Sequence, residues 1–255
     1  MSTRLEFDAL TVHIGDDVEE MARDAAVDAA AALRAAVAAR GEANVMLATG
    51  NSQLQFLVEL VGMPGIAWDR VRGFHMDEYV GLAASHSASF QRYMRERVAA
   101  NLPVMEFHYL NGDVSDPEAE AARYEALLRA HPLDLCCAGI GENGHLAFND
   151  PPVADFDDPR DVKVVPLDAA SRRQQVGEGH FASIDEVPTH AITVTIPALL
   201  RAHRVAVIVP EARKAKPVRA ALYGPITTAC PASVLRRQAN TTLYLDPESS
   251  ALLAS

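Results

Sequence analysis

Apolar runs of strand length alternate with helix-forming segments along the whole of the 255-residue chain. The strands are predicted at Leu5–Ile14, Asn44–Ala48, Val71–Met76, Leu133–Ile140, Val162–Leu167, Ala191–Thr195, Val205–Val209 and Thr241–Leu245. The helices are predicted at Val18–Arg40, Leu54–Val61, Ser85–Ala100, Pro117–Ala130, Pro197–Ala202 and Glu211–Tyr223, the third capped by Ser85 or Ser87. This alternation is typical of a parallel sheet covered by helices on both faces. We therefore expect an α/β fold: a single three-layer α/β/α domain over residues 1–255, with a mostly parallel, Rossmann-like sheet.

The overall charge narrows the class of partner. The chain carries a net charge of −11 and has a pI of about 5.2. An acidic surface argues against nucleic acid or an anionic membrane as the main partner, and any anionic substrate then needs a local positive pocket. We expect a small molecule as the partner, and a homo-oligomer is left open.

Cysteine usage and the lack of long apolar runs predict a cytoplasmic protein. The cysteines at positions 136, 137 and 230 have neither the spacing of a disulfide framework nor that of a metal site, which suits a reducing compartment. The first residues lack the apolar core of a signal peptide, and no uninterrupted apolar run reaches the length of a membrane span. We expect a cytoplasmic location and no membrane partner.

The strand predicted at Leu133–Ile140 leads into the most informative loop of the sequence. Gly139, Gly141 and Gly144 are followed directly by His145, and Asp150 stands five residues further on. A flexible turn followed by titratable groups is the layout of an active-site loop at the carboxyl end of a strand. The glycines also match the dinucleotide-binding pattern, but the loop runs into Asn-Asp-Pro-Pro and not into the long apolar helix which that pattern requires. A structural turn with an incidental histidine is the alternative.

Two further loops follow predicted strands. Thr49–Ser52 lies between a strand and a helix start, where unpaired amides and hydroxyls favour an anion, although an ordinary helix cap is equally compatible with the sequence. Asp77 and Glu78 follow the next strand and suit a general base, a metal site or a solvated acidic loop. A metal would require more ligands than the neighbouring sequence offers. Lys214 stands near a helix start, which a lysine tolerates more readily when it faces an anion.

Taken together, these segments resemble the glucosamine-6-phosphate deaminase family over nearly the whole chain. The resemblance rests on Ala48–Gly50, on Met76–Leu82 (Met-Asp-Glu-Tyr-Val-Gly-Leu) and on Gly139–Pro151 (Gly-Ile-Gly-Glu-Asn-Gly-His-Leu-Ala-Phe-Asn-Asp-Pro). The wider superfamily includes 6-phosphogluconolactonases, which usually have Asp-Glu-Arg where this chain has Asp-Glu-Tyr. Tyr79 therefore favours the deaminase.

The resemblance implies a role for each matching residue. Asp77 would be the base that moves a proton between C2 and C1 of the sugar, and His145 would open the pyranose ring. Asn143 would orient His145, and Asp150 stands where the family usually has glutamate. The implied phosphate-binding residues are Thr49, Gly50, Asn51, Ser52, Lys214 and an arginine, for which Arg172 and Arg173 are both candidates.

The expected activity is the conversion of glucosamine 6-phosphate, or a similar 2-amino-hexose 6-phosphate, and water to fructose 6-phosphate and ammonia. No metal and no cofactor are expected, because a base and a ring-opening acid–base pair suffice for the proton transfers. One alternative is a lactone hydrolase of the 6-phosphogluconolactonase type. The other is a non-catalytic sugar-phosphate sensor, which is disfavoured because Asp77 and His145 are both present and no helix-turn-helix segment precedes the domain.

Overall fold

The computed structural model describes residues 2–253, and an eight-stranded sheet forms their centre. The strands are β1 (Thr3–Phe7), β2 (Leu10–Ile14), β3 (Ala43–Leu47), β4 (Val71–His75), β5 (Asp77–Tyr79), β6 (Glu106–His108), β7 (Leu135–Ala138), β8 (Val162–Pro166), β9 (His190–Val194), β10 (Arg204–Val209) and β11 (Thr241–Leu245). The order in the large sheet is β1-β2-β11-β10-β7-β3-β4-β6. All its neighbouring strands run parallel except the edge hairpin β1–β2. The predicted mostly parallel sheet is confirmed.

Seven α-helices are described along residues 2–253. They are α1 (Val18–Arg40), α2 (Leu54–Gly62), α3 (Phe90–Met94), α4 (Pro117–Ala130), α5 (Ala169–Gly177), α6 (Ile196–Leu200) and α7 (Ala215–Tyr223). The bounds of α1 and α4 agree with the prediction because strong end signals mark both helices. Asp17 and Asp116 accept hydrogen bonds from backbone amides in the first turns, and Gly41 ends α1 in the left-handed conformation with φ 82°.

The large sheet has an apolar layer on each face. Cys136 and Cys137 are both buried in β7, and they belong to different clusters because successive side chains of a strand point to opposite faces. The Cys137 face packs against α1 and α2, and the Cys136 face packs against α4, α6 and α7. This arrangement confirms the expected three layers, with the carboxyl ends of the parallel strands at one edge of the sheet.

A second, three-stranded sheet was not predicted. It has the order β5-β9-β8 and is antiparallel throughout. The segments expected at Val162–Leu167 and Ala191–Thr195 are therefore strands, but they pair with each other and with Asp77–Tyr79 outside the parallel sheet. The sequence pattern of a short apolar strand indicates the strand but not the sheet to which the strand belongs.

Three other segments differ from the prediction. Leu5–Ile14 is a hairpin and not one strand, because the chain turns at Asp8 with φ 54°. The helix predicted from Ser85 begins only at Phe90, with Ser89 as its N-cap, and continues as a π-helix over Arg95–Ala99. Helix α5 was not predicted at all. Within residues 2–253, no helix combines the length and the apolar character needed to cross a bilayer.

Candidate active site

One pocket collects residues from the carboxyl ends of four strands. Thr49, Gly50 and Ser52 follow β3, and Asp77 follows β4. Gly141 and His145 follow β7, and Lys214 follows β10. Helix α5 and the residues behind it form a further wall, with Gln174, Gln175, Glu178 and His180. Because parallel strands end at the same edge of a sheet, residues up to 165 positions apart in the chain meet here.

His145 is backed by the carboxylate of Asp150. Its Nδ1 atom lies 2.9 Å from Asp150 Oδ1 and 3.0 Å from Ser171 Oγ, and Asp150 is buried. This nitrogen therefore faces the carboxylate, which leaves Nε2 for a ligand in the pocket. Asp150 lies on the His145 side of the pocket, and the shorter aspartate reaches the imidazole directly.

Three other groups hold Asp150 in place. Asn143 Nδ2 donates to Asp150 Oδ1 at 2.9 Å, Ser171 Oγ donates to the same oxygen at 2.5 Å, and the Asp168 amide donates to Oδ2 at 3.2 Å. Burial alone would raise the pKa of Asp150, but the hydrogen bonds from His145, Asn143 and Ser171 outweigh it and lower the pKa to about 2. The carboxylate is therefore ionised at neutral pH and can stabilise a protonated His145.

Two groups of the glycine-rich loop fix the position of the histidine itself. Asn143 Oδ1 accepts a hydrogen bond from the His145 backbone amide at 3.1 Å, so Asn143 orients both members of the pair. Gly141 makes room for the ring, because a Cβ atom at this position would overlap His145 Nε2. Gly144 turns the loop with φ 85°, a conformation that a side chain disfavours.

The neighbouring carboxylates Asp77 and Glu78 have different surroundings. Asp77 lines the pocket, and burial followed by the charge of Glu78 raises its pKa well above the ordinary value of 3.8. Glu78 accepts hydrogen bonds from the amides of Tyr79, Phe90 and Gln91 and from the Ser89 hydroxyl. Glu78 therefore anchors the start of α3, and Asp77 is the carboxylate available to a ligand.

The loop after β3 and Lys214 form the anion-binding end of the pocket. Gly50 has φ 105°, a glycine conformation, and its carbonyl accepts a hydrogen bond from Tyr93 Oη at 3.1 Å. Lys214 is 3% exposed, and its ammonium donates no hydrogen bond to residues 2–253. Burial, then the charge of Arg213, lowers its pKa. A buried lysine with free donors is suited to bind an anion. Asn51 is exposed and does not line the pocket.

Arg172 is not brought to the pocket. Its guanidinium donates hydrogen bonds to the carbonyl oxygens of Ile184 and Val187 at 2.6 and 2.9 Å, and so fixes the segment that follows α5. Arg173, the other candidate, is exposed and does not line the pocket either. In this structure the Nη2 group of Arg172 serves the backbone of residues 184–187, and its role in binding the phosphate stays a prediction.

A charged network closes the pocket beside Lys214. Arg213 pairs with Glu178 at 2.7 Å, with Glu142 at 3.2 Å and with Glu211 at 2.5 Å. Burial would raise the pKa of Glu178, but the contact with His180 at 3.4 Å and the hydrogen bonds from Gln174 and Arg213 lower it to about 2. The Glu178 charge is thus compensated by Arg213, which limits its repulsion of an anion held by Lys214.

Comparison with protein families finds one family that matches most of the chain. The family described as glucosamine-6-phosphate isomerases/6-phosphogluconolactonase matches residues 16–244, which include every pocket residue named above. The chain belongs to this family.

Curated relatives within the family are named as deaminases. A glucosamine-6-phosphate deaminase of Listeria monocytogenes serotype 4a is 36% identical over 214 residues, which is 84% of this chain and 89% of the relative. One from Bacillus thuringiensis is 36% identical over 206 residues, covering 81% of this chain and 76% of the relative.

Solved structures of the family have the same fold. A monomeric glucosamine-6-phosphate deaminase superposes with a TM-score of 0.86 at 29% identity, covering 94% of this chain and 99% of that one. A 6-phosphogluconolactonase from Shewanella baltica superposes with a TM-score of 0.75 at 22% identity, covering 92% and 96%. The second likeness concerns the fold alone.

The family motifs pointed to most of the pocket but not to its α5 wall. Ser171, Gln175 and Glu178 were not predicted, because no motif of the family carries them in this sequence and α5 itself was missed. One local signal was available: Asp168 caps α5 by accepting a hydrogen bond from the Ala170 amide at 3.0 Å, and Asp followed by two alanines is compatible with a helix start.

Proposed function

We propose that this family member is a glucosamine-6-phosphate deaminase, which converts glucosamine 6-phosphate and water to fructose 6-phosphate and ammonia. The observation that carries the proposal is that His145, backed by Asp150, lines one pocket together with Asp77 and Lys214. These groups supply a ring-opening acid–base residue, a second base for carbon chemistry and a cation for the phosphate. The deaminase relatives support the same substrate.

Ring opening is the role of His145. The closed sugar opens when a proton leaves the O1 hydroxyl and a proton is delivered to the ring oxygen O5. His145 Nε2 accepts and returns these protons, while the Asp150 carboxylate at Nδ1 stabilises the imidazolium that forms between the two transfers. A positioned acid–base group contributes on the order of 10²–10⁴ to the rate.

Isomerisation and deamination follow on the open chain. Asp77 removes the C2 proton while O1 takes up a proton from the protonated His145, which gives an enolamine. Asp77 then returns its proton to C1, so that C1 becomes a CH2OH group and C2 becomes an iminium carbon. Water adds to this imine carbon, and the C–N bond breaks to release ammonia and the C2 ketone. The raised pKa of Asp77 makes its ionised form a stronger base toward carbon than an exposed aspartate.

The phosphate group of the substrate supplies binding energy at the end of the pocket near Lys214. The Lys214 ammonium and the amides and hydroxyls of Thr49–Ser52 would hold it, with Asn51 offering its backbone because its side chain is exposed. Binding energy from this remote group orients C1 and C2 toward Asp77 and His145.

The surroundings of Tyr79 favour the deaminase over the lactone hydrolase. Its ring is 0% exposed and lies 4.9 Å from Phe90, 5.4 Å from Phe148 and 5.6 Å from Phe181, measured between ring centroids. The arginine that the lactonases usually have at this position would place a cation inside an aromatic cluster, where its desolvation would be costly. The three phenylalanine rings around position 79 thus form a site that suits a tyrosine.

Proton transfer by side chains suffices for every step, so we propose a reaction that needs no cofactor. The cytoplasmic location and the oligomeric state stay predictions. The proposal is tested by assaying the purified protein with glucosamine 6-phosphate for ammonia and with 6-phosphogluconolactone for acid release. Ammonia release that is much faster than lactone hydrolysis is expected, and the reverse order would make the lactonase the better description.

A further inference from the structure

The Gln175 side chain is buried in the wall of the pocket without a partner of its own. It lines the pocket and is 6% exposed. Its Oε1 accepts no hydrogen bond, and its Nε2 donates none, within residues 2–253. Buried amides are almost always paired, and leaving one unpaired costs free energy. The neighbouring Gln174 shows the usual case, since it accepts from the Glu142 amide and donates to Glu178.

The position of Gln175 on α5 places it between the two ends of the pocket. Residues four and three apart lie on one face of a helix, so Ser171, Gln175 and Glu178 follow one another along the same face. Ser171 contacts His145 and Asp150, which form the proposed ring-opening end. Glu178 pairs with Arg213, next to the Lys214 end. Gln175 therefore faces the middle of a ligand that spans both ends.

We propose that Gln175 is a specificity-determining residue whose amide binds a hydroxyl group of the sugar between the reacting carbons and the phosphate. A hydroxyl accepts hydrogen bonds as well as donating one, and the Gln175 Nε2 group, unlike the fully buried Oε1, offers N–H donors to it. The amide is uncharged, so it adds little to the binding of a phosphate dianion, which Lys214 serves. The inference rests on the proposed function only in taking a sugar phosphate as the ligand.

Binding measurements on the intact protein separate this role from a phosphate contact. Affinities for glucitol 6-phosphate, an open-chain sugar alcohol that cannot be deaminated, and for inorganic phosphate are compared by calorimetry. Gln175→Met keeps the size of the side chain and removes both amide groups. We expect this change to weaken glucitol 6-phosphate binding roughly tenfold and to leave phosphate binding unchanged. Gln55→Leu, on α2 outside the pocket, is the control and should alter neither.

The contacted hydroxyl is identified with 3-deoxy and 4-deoxy glucosamine 6-phosphates as competing ligands. The effect of Gln175→Met should disappear for the ligand that lacks the contacted hydroxyl. Equal weakening of phosphate and sugar phosphate, or no weakening of either, would overturn the inference. If the Met variant does not fold, as judged by its thermal transition, the uncharged Gln175→Leu, which also lacks both amide groups, replaces it in the same comparison with the same expected results.

The two proposals fail in different ways. If the parent protein releases no ammonia from glucosamine 6-phosphate, the proposed deaminase function is wrong, yet the calorimetric comparison still decides whether Gln175 binds a sugar hydroxyl. If ammonia is released normally and Gln175→Met binds both ligands like the parent, only the inference about Gln175 is wrong.

Discussion

The carboxylate of Asp150 contacts the imidazole of His145 directly, with 2.9 Å between Oδ1 and Nδ1. This contact accounts for an aspartate at a position where the family usually has glutamate. Ser171 and Asn143 donate to the same Oδ1 atom, and the Asp168 amide donates to Oδ2, so the shorter side chain is held against the histidine from several sides.

Changes at Asp150 should affect turnover more than binding. Asp150→Ala removes the group that stabilises the imidazolium, so kcat should fall on the order of 10²–10³-fold with a smaller change in KM. Asp150→Glu should not raise activity, because the extra methylene must enter a buried space in which Oδ1 already has two donors and contacts His145 Nδ1. Steady-state kinetics with glucosamine 6-phosphate measures both. A Glu variant well above the parent would indicate that another sugar phosphate is the natural substrate.

A methyl group at Gly141 should displace the catalytic imidazole. The added Cβ atom would overlap His145 Nε2, the nitrogen left for the substrate, so we expect Gly141→Ala to lower kcat by roughly 10²-fold. Gly62→Ala is the matched control, because nothing lies within 4 Å of its added Cβ atom and its activity should be that of the parent. Normal turnover by Gly141→Ala would mean that His145 does not act from this position.

The pH dependence of kcat/KM should follow the ionisation of Asp77. The base must be ionised, and burial together with the Glu78 charge raises its pKa well above the ordinary 3.8, so the protonated, inactive form persists to higher pH. On acidification, kcat/KM should therefore fall at a pH well above 3.8, before the protein unfolds. Asp150, with a pKa of about 2, stays ionised throughout this range. A profile that is flat down to about pH 4 would contradict the assignment of the base.

Binding of the substrate phosphate should depend on Lys214 and not on the nearby Lys216. Lys214→Met keeps the apolar stem and removes the buried ammonium, so KM for the phosphorylated sugar should rise on the order of 10–100-fold. Lys216→Met removes an exposed ammonium two residues away and should leave KM unchanged. Kinetics of the two variants side by side measures the difference. Equal KM values would place the phosphate elsewhere.

Much of the fold and of the site could be predicted because the relevant signals are local. The capping residues Asp17 and Asp116 mark the two helices whose bounds were predicted correctly. The residues Thr49, Asp77, His145 and Lys214 each follow a strand of one parallel sheet, and the geometry of such a sheet brings them to one edge.

The α5 wall could not be predicted because its signals depend on tertiary contacts. The helix begins with Ala-Ala-Ser-Arg-Arg-Gln-Gln and has no clear apolar stripe, so its sequence does not distinguish a helix from a polar loop. The direction of the Arg172 side chain is set by the carbonyl oxygens of the segment 184–187, which no local pattern reveals. The second sheet was missed for a similar reason, since Asp77–Tyr79 is a strand only through its pairing with β9.

The most direct test of the central claim is the joint measurement of ammonia and fructose 6-phosphate formed from glucosamine 6-phosphate by the parent protein and by Asp77→Asn. We predict equal molar amounts of the two products from the parent, and a rate lower on the order of 10²–10⁴-fold from Asp77→Asn, which should still bind the sugar phosphate. A parent that forms no ammonia, or an Asp77→Asn variant with near-normal turnover, would contradict the account.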